Sequence, residues 1–92
     1  SVDVMMSSVA DIFGSKALGV VLTGMGNDGR SGMLEIKKRG GYTIAESEDT
    51  AVVFGMPAEV IRANAAEMVL PISSIPIEII KLAKEAPKSK DS

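Results

Sequence analysis

Apolar positions along this chain switch between two periods. After Ser1, a good N-cap, Val2, Met5, Val9, Ile12 and Phe13 recur at helical spacing, and Gly14 offers a stop. Ala17–Leu22 is a compact apolar run, short enough for a buried strand. Arg30–Arg39 returns to the helical period, burying Met33, Leu34 and the Ile36–Lys37 stems, and stops at Gly40-Gly41. Tyr42–Glu46 reads as a second strand, Ser47–Thr50 as a polar loop and Ala51–Phe54 as a short apolar patch. Pro57 suits the first turn of a helix running through about Asn64, where its missing N–H costs nothing. Glu67–Leu70 is a third strand closed by Pro71. Ser73 or Ser74 then caps a last helix with Pro76 in its first turn and Ile77, Ile80, Leu82 and Ala83 inward.

Strand, helix, strand with a right-handed crossover is a βαβ unit, so the strands pair in parallel. Three such strands cannot close a doubly wound sheet, because both faces need cover and an edge stays open. The pattern predicts an α/β fold: part of a doubly wound, mostly parallel, Rossmann-like three-layer sheet, here its C-terminal portion, over residues 1–86. A helix that begins at the first residue points to something removed upstream. The charged Pro-Lys-Ser tail, 87–92, is expected to be disordered and reads as a natural C-terminus.

Composition narrows the function. At 92 residues the chain holds one domain at most, and such a chain buries about 60–65 % of its unfolded surface. An aromatic fraction of 3 % leaves an aliphatic core, with the six methionines filling its gaps. The net charge of −2, with no basic stripe or stacking platform, argues against nucleic acid. No apolar run nears the roughly 20 residues that span a bilayer, so no membrane insertion is expected and the cytoplasm is the default location. Cysteine and histidine are both absent, which excludes disulfides, the usual general base and most zinc sites from these residues. Neither a metal nor a cofactor is expected.

The candidate chemistry lies in Leu22–Gly32, Leu-Thr-Gly-Met-Gly-Asn-Asp-Gly-Arg-Ser-Gly, between the first strand and the next helix. Open α/β sheets place their sites at this carboxyl edge. Asp28 fits three roles there. It can cap the helix, favoured by the dipole at roughly 0.3–1 kcal/mol. Alternatively, Gly24, Gly26 and Gly29 match the dinucleotide pattern G-x-G-x-x-G, with Glu46 placed as a ribose acid. Against this, Asp28 would face a pyrophosphate, and like charges about 4 Å apart cost ~4 kcal/mol at an effective dielectric of 20. In the third role Asp28 is the acid of a hydrolase triad, accepting a histidine Nδ1–H and stabilising the imidazolium. Ser31 misses the nucleophile-elbow spacing because residue 33 is Met. This chain alone cannot run serine hydrolysis.

Leu22-Thr23-Gly24-Met25-Gly26-Asn27-Asp28-Gly29, then Ser31-Gly32-Met33-Leu34, Thr43-Ile44-Ala45-Glu46 and Val52-Val53-Phe54-Gly55-Met56-Pro57 resemble the chemotaxis protein-glutamate methylesterases of CheB type, in their C-terminal half. The resemblance runs from about Val2 to Leu70. It implies a doubly wound α/β catalytic domain behind a receiver domain, hydrolysing glutamate methyl esters on the cytoplasmic helices of chemoreceptors and deamidating receptor glutamines. The family's triad Asp falls on Asp28, and its oxyanion-hole backbone N–H on Met25. A bulky side chain at 25 is acceptable if the backbone does the work, and such a donor is worth ~3–4 kcal/mol of transition-state stabilisation.

The family's serine and histidine belong to the half this chain lacks, as does the receiver domain, so the chain is expected to be a fragment, inactive alone. The partners implied are methylated receptor helices and the rest of the same enzyme. A third expectation is a homo-oligomer paired through the open edge strand. Val52–Pro57 reads as a packed segment leading into a helix, with Met56 at the site wall. Glu35, Lys37, Lys38 and Arg39 read as a solvated helix face or, less simply, a docking patch. Arg30 is left between a substrate carboxylate and water.

Overall fold

The computed structural model describes residues 14–23 and 29–85. The helix expected before Gly14, the turn at 24–28 and the tail at 87–92 lie outside the described residues. Among those described, a 3-10 turn (Gly14–Lys16) leads into β1 (Leu18–Val21), α1 (Arg30–Lys38), β2 (Tyr42–Glu46), α2 (Met56–Arg62), β3 (Met68–Leu70), a second 3-10 turn (Ile72–Ser74) and α3 (Ile75–Glu85). The strands form one parallel sheet in the order β1-β2-β3. Gly19 pairs with Thr43 and Val21 with Ala45, and Ala45 pairs in turn with Val69. The two βαβ units therefore run in the same direction across the sheet, which puts α1 and α2 side by side on one face.

That face carries the core. Val21, Met33, Ala45, Val60 and Ala65 form one cluster, with Met56 and Ile61 packed against it. Met33, Ile44 and Val60 are fully buried and Ile36 nearly so. The alternation of a strand turns Tyr42, Ile44 and Glu46 to the opposite face. The parallel strands with helices between them match the α/β fold expected from the sequence.

Two helices end the same way. After α1, the Gly40 N–H donates to Lys37 O at 3.0 Å and the Gly41 N–H to Ile36 O at 2.9 Å, with Gly40 at φ 85°. After α2, the Asn64 N–H donates to Ile61 O and the Ala65 N–H to Val60 O, both at 2.9 Å, with Asn64 at φ 58°. These are paired Schellman bonds, and they need a residue tolerant of the left-handed region at C′. Ala65 and Val60, the residues joined by the outer bond, share the core cluster. Each chain reversal is thereby locked to the packing.

Several apolar expectations were wrong. Leu34, read as buried, is 39 % exposed, while Gly32 packs inward. Ile77 and Ile80, read as inward, are 69 % and 56 % exposed, and Ile75 is the buried residue of α3. Ala83 is exposed as well. Periodicity marks an apolar stripe but not what covers it.

Two outcomes are expected. A Cβ at Gly41 would come within 2.7 Å of Ile36 Cγ2 and 2.8 Å of the Ala17 carbonyl oxygen, whereas one at Gly19 meets side-chain atoms alone, Met33 Sδ at 2.6 Å and Ile36 Cδ1 at 3.0 Å. Gly41→Ala should destabilise the folded domain by ~1–3 kcal/mol and Gly19→Ala by less, read as denaturation midpoints at unchanged slope. Burial, then Glu78, Glu67 and Glu85, raise the Tyr42 pKa above its ordinary 10.0. The chain has one tyrosine, so an absorbance titration should place its midpoint above 10.0 in the folded state and return it to 10.0 in urea. The folded state favours the neutral phenol, so this contribution to stability is present below the unfolded pKa and is lost as pH rises through the folded one.

Candidate functional site

The loops that follow β1, β2 and β3 all leave the carboxyl edge of the sheet, because the strands are parallel. β1 exits through Leu22 and Thr23, and the described chain resumes at Gly29. Gly29 is the N-cap of α1 and is left-handed, at φ 109° and ψ −17°, with no side-chain cap bond to the helix. Its carbonyl accepts the Met33 N–H at 2.9 Å. The residue at the N-cap position is thus Gly29, which corrects the sequence reading that put Asp28 there. Asp28, Met25, Gly24 and Gly26 themselves lie outside the described residues.

Both flanks of the turn are firmly held. Glu46, the last residue of β2, is 3 % exposed, and a carboxylate so buried needs hydrogen-bond partners. The Thr23 backbone N–H donates to its Oε1 at 2.8 Å, and the Thr50 hydroxyl donates to its Oε2 at 2.9 Å. Thr50 Oγ1 in turn accepts the Ile72 N–H at 2.9 Å. Thr23 Oγ1 accepts the Val53 N–H at 2.6 Å and donates back to Val53 O at 3.1 Å. The exits of all three strands are thereby tied together through one carboxylate and two hydroxyls. On the sequence alone Glu46 had been considered only as a ribose acid, while Thr23 and Thr50 drew no role. The available signal was an acid directly after Thr43-Ile44-Ala45, in a strand with no exposed face.

This network also bears on the dinucleotide reading. Both Glu46 oxygens are engaged within the chain and the residue is buried, so it offers no surface to a ribose. Among the described residues no His, Cys, Asp and Glu group could hold a metal ion, and no helix is long and apolar enough to cross a membrane.

Arg30, at the start of α1, pairs with Glu59 of α2 at 3.1 Å, and Glu59 also pairs with Arg62. Its role is to join the two helices. Arg39 pairs with Glu35 at 3.0 Å one turn back along α1, and Lys37 Nζ donates to Asn64 O at 2.8 Å, joining α1 to the chain just after α2. The Val52–Pro57 segment divides. Val52 is 88 % exposed, against the packed reading, whereas Pro57 is buried in the first turn of α2.

A parallel α/β sheet with a glycine-rich turn between β1 and α1 defines an open α/β domain whose chemistry lies at the carboxyl edge. The CheB methylesterase family model matches residues 1–79, and the chain belongs to that family. It is 53 % identical over 81 residues to protein-glutamate methylesterase/protein-glutamine glutaminase 3 of Syntrophomonas wolfei, covering 88 % of this chain and 23 % of that protein. It is 56 % identical over 79 residues to the corresponding enzyme 1 of Carboxydothermus hydrogenoformans, covering 86 % and 23 %. The solved catalytic domain of the Thermotoga maritima CheB methylesterase superposes with a TM-score of 0.85 at 46 % identity, over 87 % of this chain and 42 % of that one. The chain spans about a quarter of the length of these curated relatives.

The clip between Thr23 and Val53 generates a direct outcome. Thr23→Val leaves the Val53 N–H without its acceptor, a loss worth ~1–3 kcal/mol for a buried group and less at this exposed position. Faster hydrogen exchange at the Val53 amide, with core amides unchanged, is the expected result.

Proposed function

We propose that the chain is the C-terminal portion of the catalytic domain of a protein-glutamate methylesterase and glutamine deamidase that acts on chemoreceptors. In this reading Asp28 is the triad acid and the Met25 backbone N–H is an oxyanion-hole donor. The substrate is a methylated helix of the receptor's cytoplasmic part, which sets the enzyme in the cytoplasm. The histidine, absent from this sequence, and the nucleophilic serine come from the remainder of the enzyme.

The observation that carries the reading is the strand–turn–helix at the carboxyl edge, in a chain of the CheB methylesterase family. β1 delivers the turn to the edge and Gly29 restarts the helix, leaving residues 24–28 to span the gap. The chemistry then divides among the parts. Serine Oγ attacks the ester carbonyl while histidine takes its proton, and Asp28 holds the imidazole in the right tautomer and stabilises its cation. The carbonyl oxygen becomes an oxyanion that accepts the Met25 N–H. Collapse expels methoxide, which leaves as methanol with the histidine's proton. Water then attacks the acyl-enzyme by the same route in reverse and frees the glutamate carboxylate. A glutamine side chain follows the same course with ammonia as the leaving group.

Asp28→Asn in the full-length enzyme should preserve the fold and lower kcat by ~10⁴, since the amide stabilises the wrong imidazole tautomer. Methanol release from methylated receptor measures it. Turnover near that of the unaltered enzyme would remove Asp28 from the triad.

A further inference from the structure

We propose that Glu46 is a positioning residue for catalysis: its carboxylate anchors the backbone that leads into the oxyanion-hole donor at Met25. The inference rests on the methylesterase reading above and deepens it.

The Thr23 N–H that Glu46 Oε1 accepts at 2.8 Å stands two residues before Met25. A backbone donor works only if it is aimed at the developing oxyanion, and small displacements at such a site are costly to rate. Glycines at 24 and 26 carry no side chains to fix the backbone, so in this reading the aim of the donor is set from the two ends of the 24–28 stretch. The downstream end is Gly29, continuous with α1. The upstream end is Thr23, and it is held twice. Its N–H is fixed by Glu46, and its hydroxyl exchanges bonds with both backbone groups of Val53.

Glu46 is in turn fixed through Thr50, whose hydroxyl donates to Oε2 while accepting the Ile72 N–H. A carboxylate suits the task because it only accepts, so the Thr23 amide and the Thr50 hydroxyl can both point at it. Glutamine can do the same work. Its carbonyl oxygen accepts from Thr23, and its NH₂ donates to Thr50 Oγ1, whose hydroxyl hydrogen then turns elsewhere. What is required is an acceptor at this depth, not a negative charge.

The test compares Glu46→Gln, Glu46→Leu, Thr50→Val and Asp28→Asn in the full-length enzyme, with kcat and KM for methylated receptor and the unfolding midpoint of each. Glu46→Gln is expected within about 3-fold of the unaltered kcat, and Glu46→Leu to lose ~10²-fold in kcat at unchanged KM, as for loss of one oxyanion donor. Thr50→Val, which keeps the carboxylate but frees Oε2, should lose about 10-fold. It decides the matter if Glu46→Leu does not fold. A folded Glu46→Leu that retains kcat, or a Glu46→Gln that falls as far as Glu46→Leu, overturns the inference. If Glu46→Leu is unfolded and Thr50→Val is fully active, it is overturned as well. Asp28→Asn separates the two levels: its full activity would sink the methylesterase reading, whereas its inactivity beside a fully active, folded Glu46→Leu would sink only the role of Glu46.

Discussion

The carboxyl edge of the sheet depends on a hydrogen-bond acceptor placed where water hardly reaches. Glu46 ends the central strand, and its oxygens take one amide and one hydroxyl from neighbouring loops. Hydrogen bonds to a carboxylate are shorter and stronger than neutral ones, and burial raises the cost of breaking them. Parallel strands hydrogen-bond along their length but say nothing about the loops beyond their ends. Here the tie continues past the sheet. The Ser47 N–H donates to Leu70 O at 2.8 Å, and Thr50 joins the β3 exit at Ile72. Glycines can therefore be used freely in the turn without loosening its supports.

The opposite edge of the sheet is held by different means. Each helix returns to its strand through a left-handed residue and a pair of Schellman bonds. Gly41 has no room for a side chain because Ile36 and the Ala17 carbonyl lie against it. The Tyr42 N–H then donates to Ala17 O at 3.0 Å, so the sheet begins where the helix stops. Backbone geometry sets the amino edge and side-chain hydrogen bonds set the carboxyl edge. Mutational tolerance should follow the same division: space decides at Gly41, and donor and acceptor chemistry decides at Glu46.

Sequence alone revealed what depends on local signals. β2 was read to the residue as Tyr42–Glu46, because its ends are marked by Gly40-Gly41 and a polar loop. α1 was read to within one residue, its stop explained by the glycine at φ 85°. The parallel pairing followed from the order of elements. The orientation of Leu34, Ile77 and Ile80 was not legible, and the reason is physical. A residue's apolar character answers to the whole domain it packs in, and the matched stretch is 42 % of the Thermotoga catalytic domain. The Thr23–Glu46–Thr50 tie was hidden for another reason. Its members are 23 and 4 residues apart in sequence and meet only once the sheet has formed. Asp28 was singled out by its place in a glycine turn, and the fold adds that Gly29 holds the capping position instead.

That last point bears on what the acid is for. A carboxylate near a helix start has an ordinary use as a cap, and a residue so used has its oxygens directed at its own helix. Gly29 at the N-cap offers no side-chain oxygen to α1, where Asp or Ser at that position would contribute about 1 kcal/mol. Sequences forgo local stability where a local rule conflicts with function. Here the conflict is geometric. In the proposed reading the acid presents its oxygens across the edge toward a different segment, and the left-handed Gly29 after it gives the N-cap to a residue with no side chain. In the proposed reading the imidazole comes from outside these 92 residues, which contain no histidine.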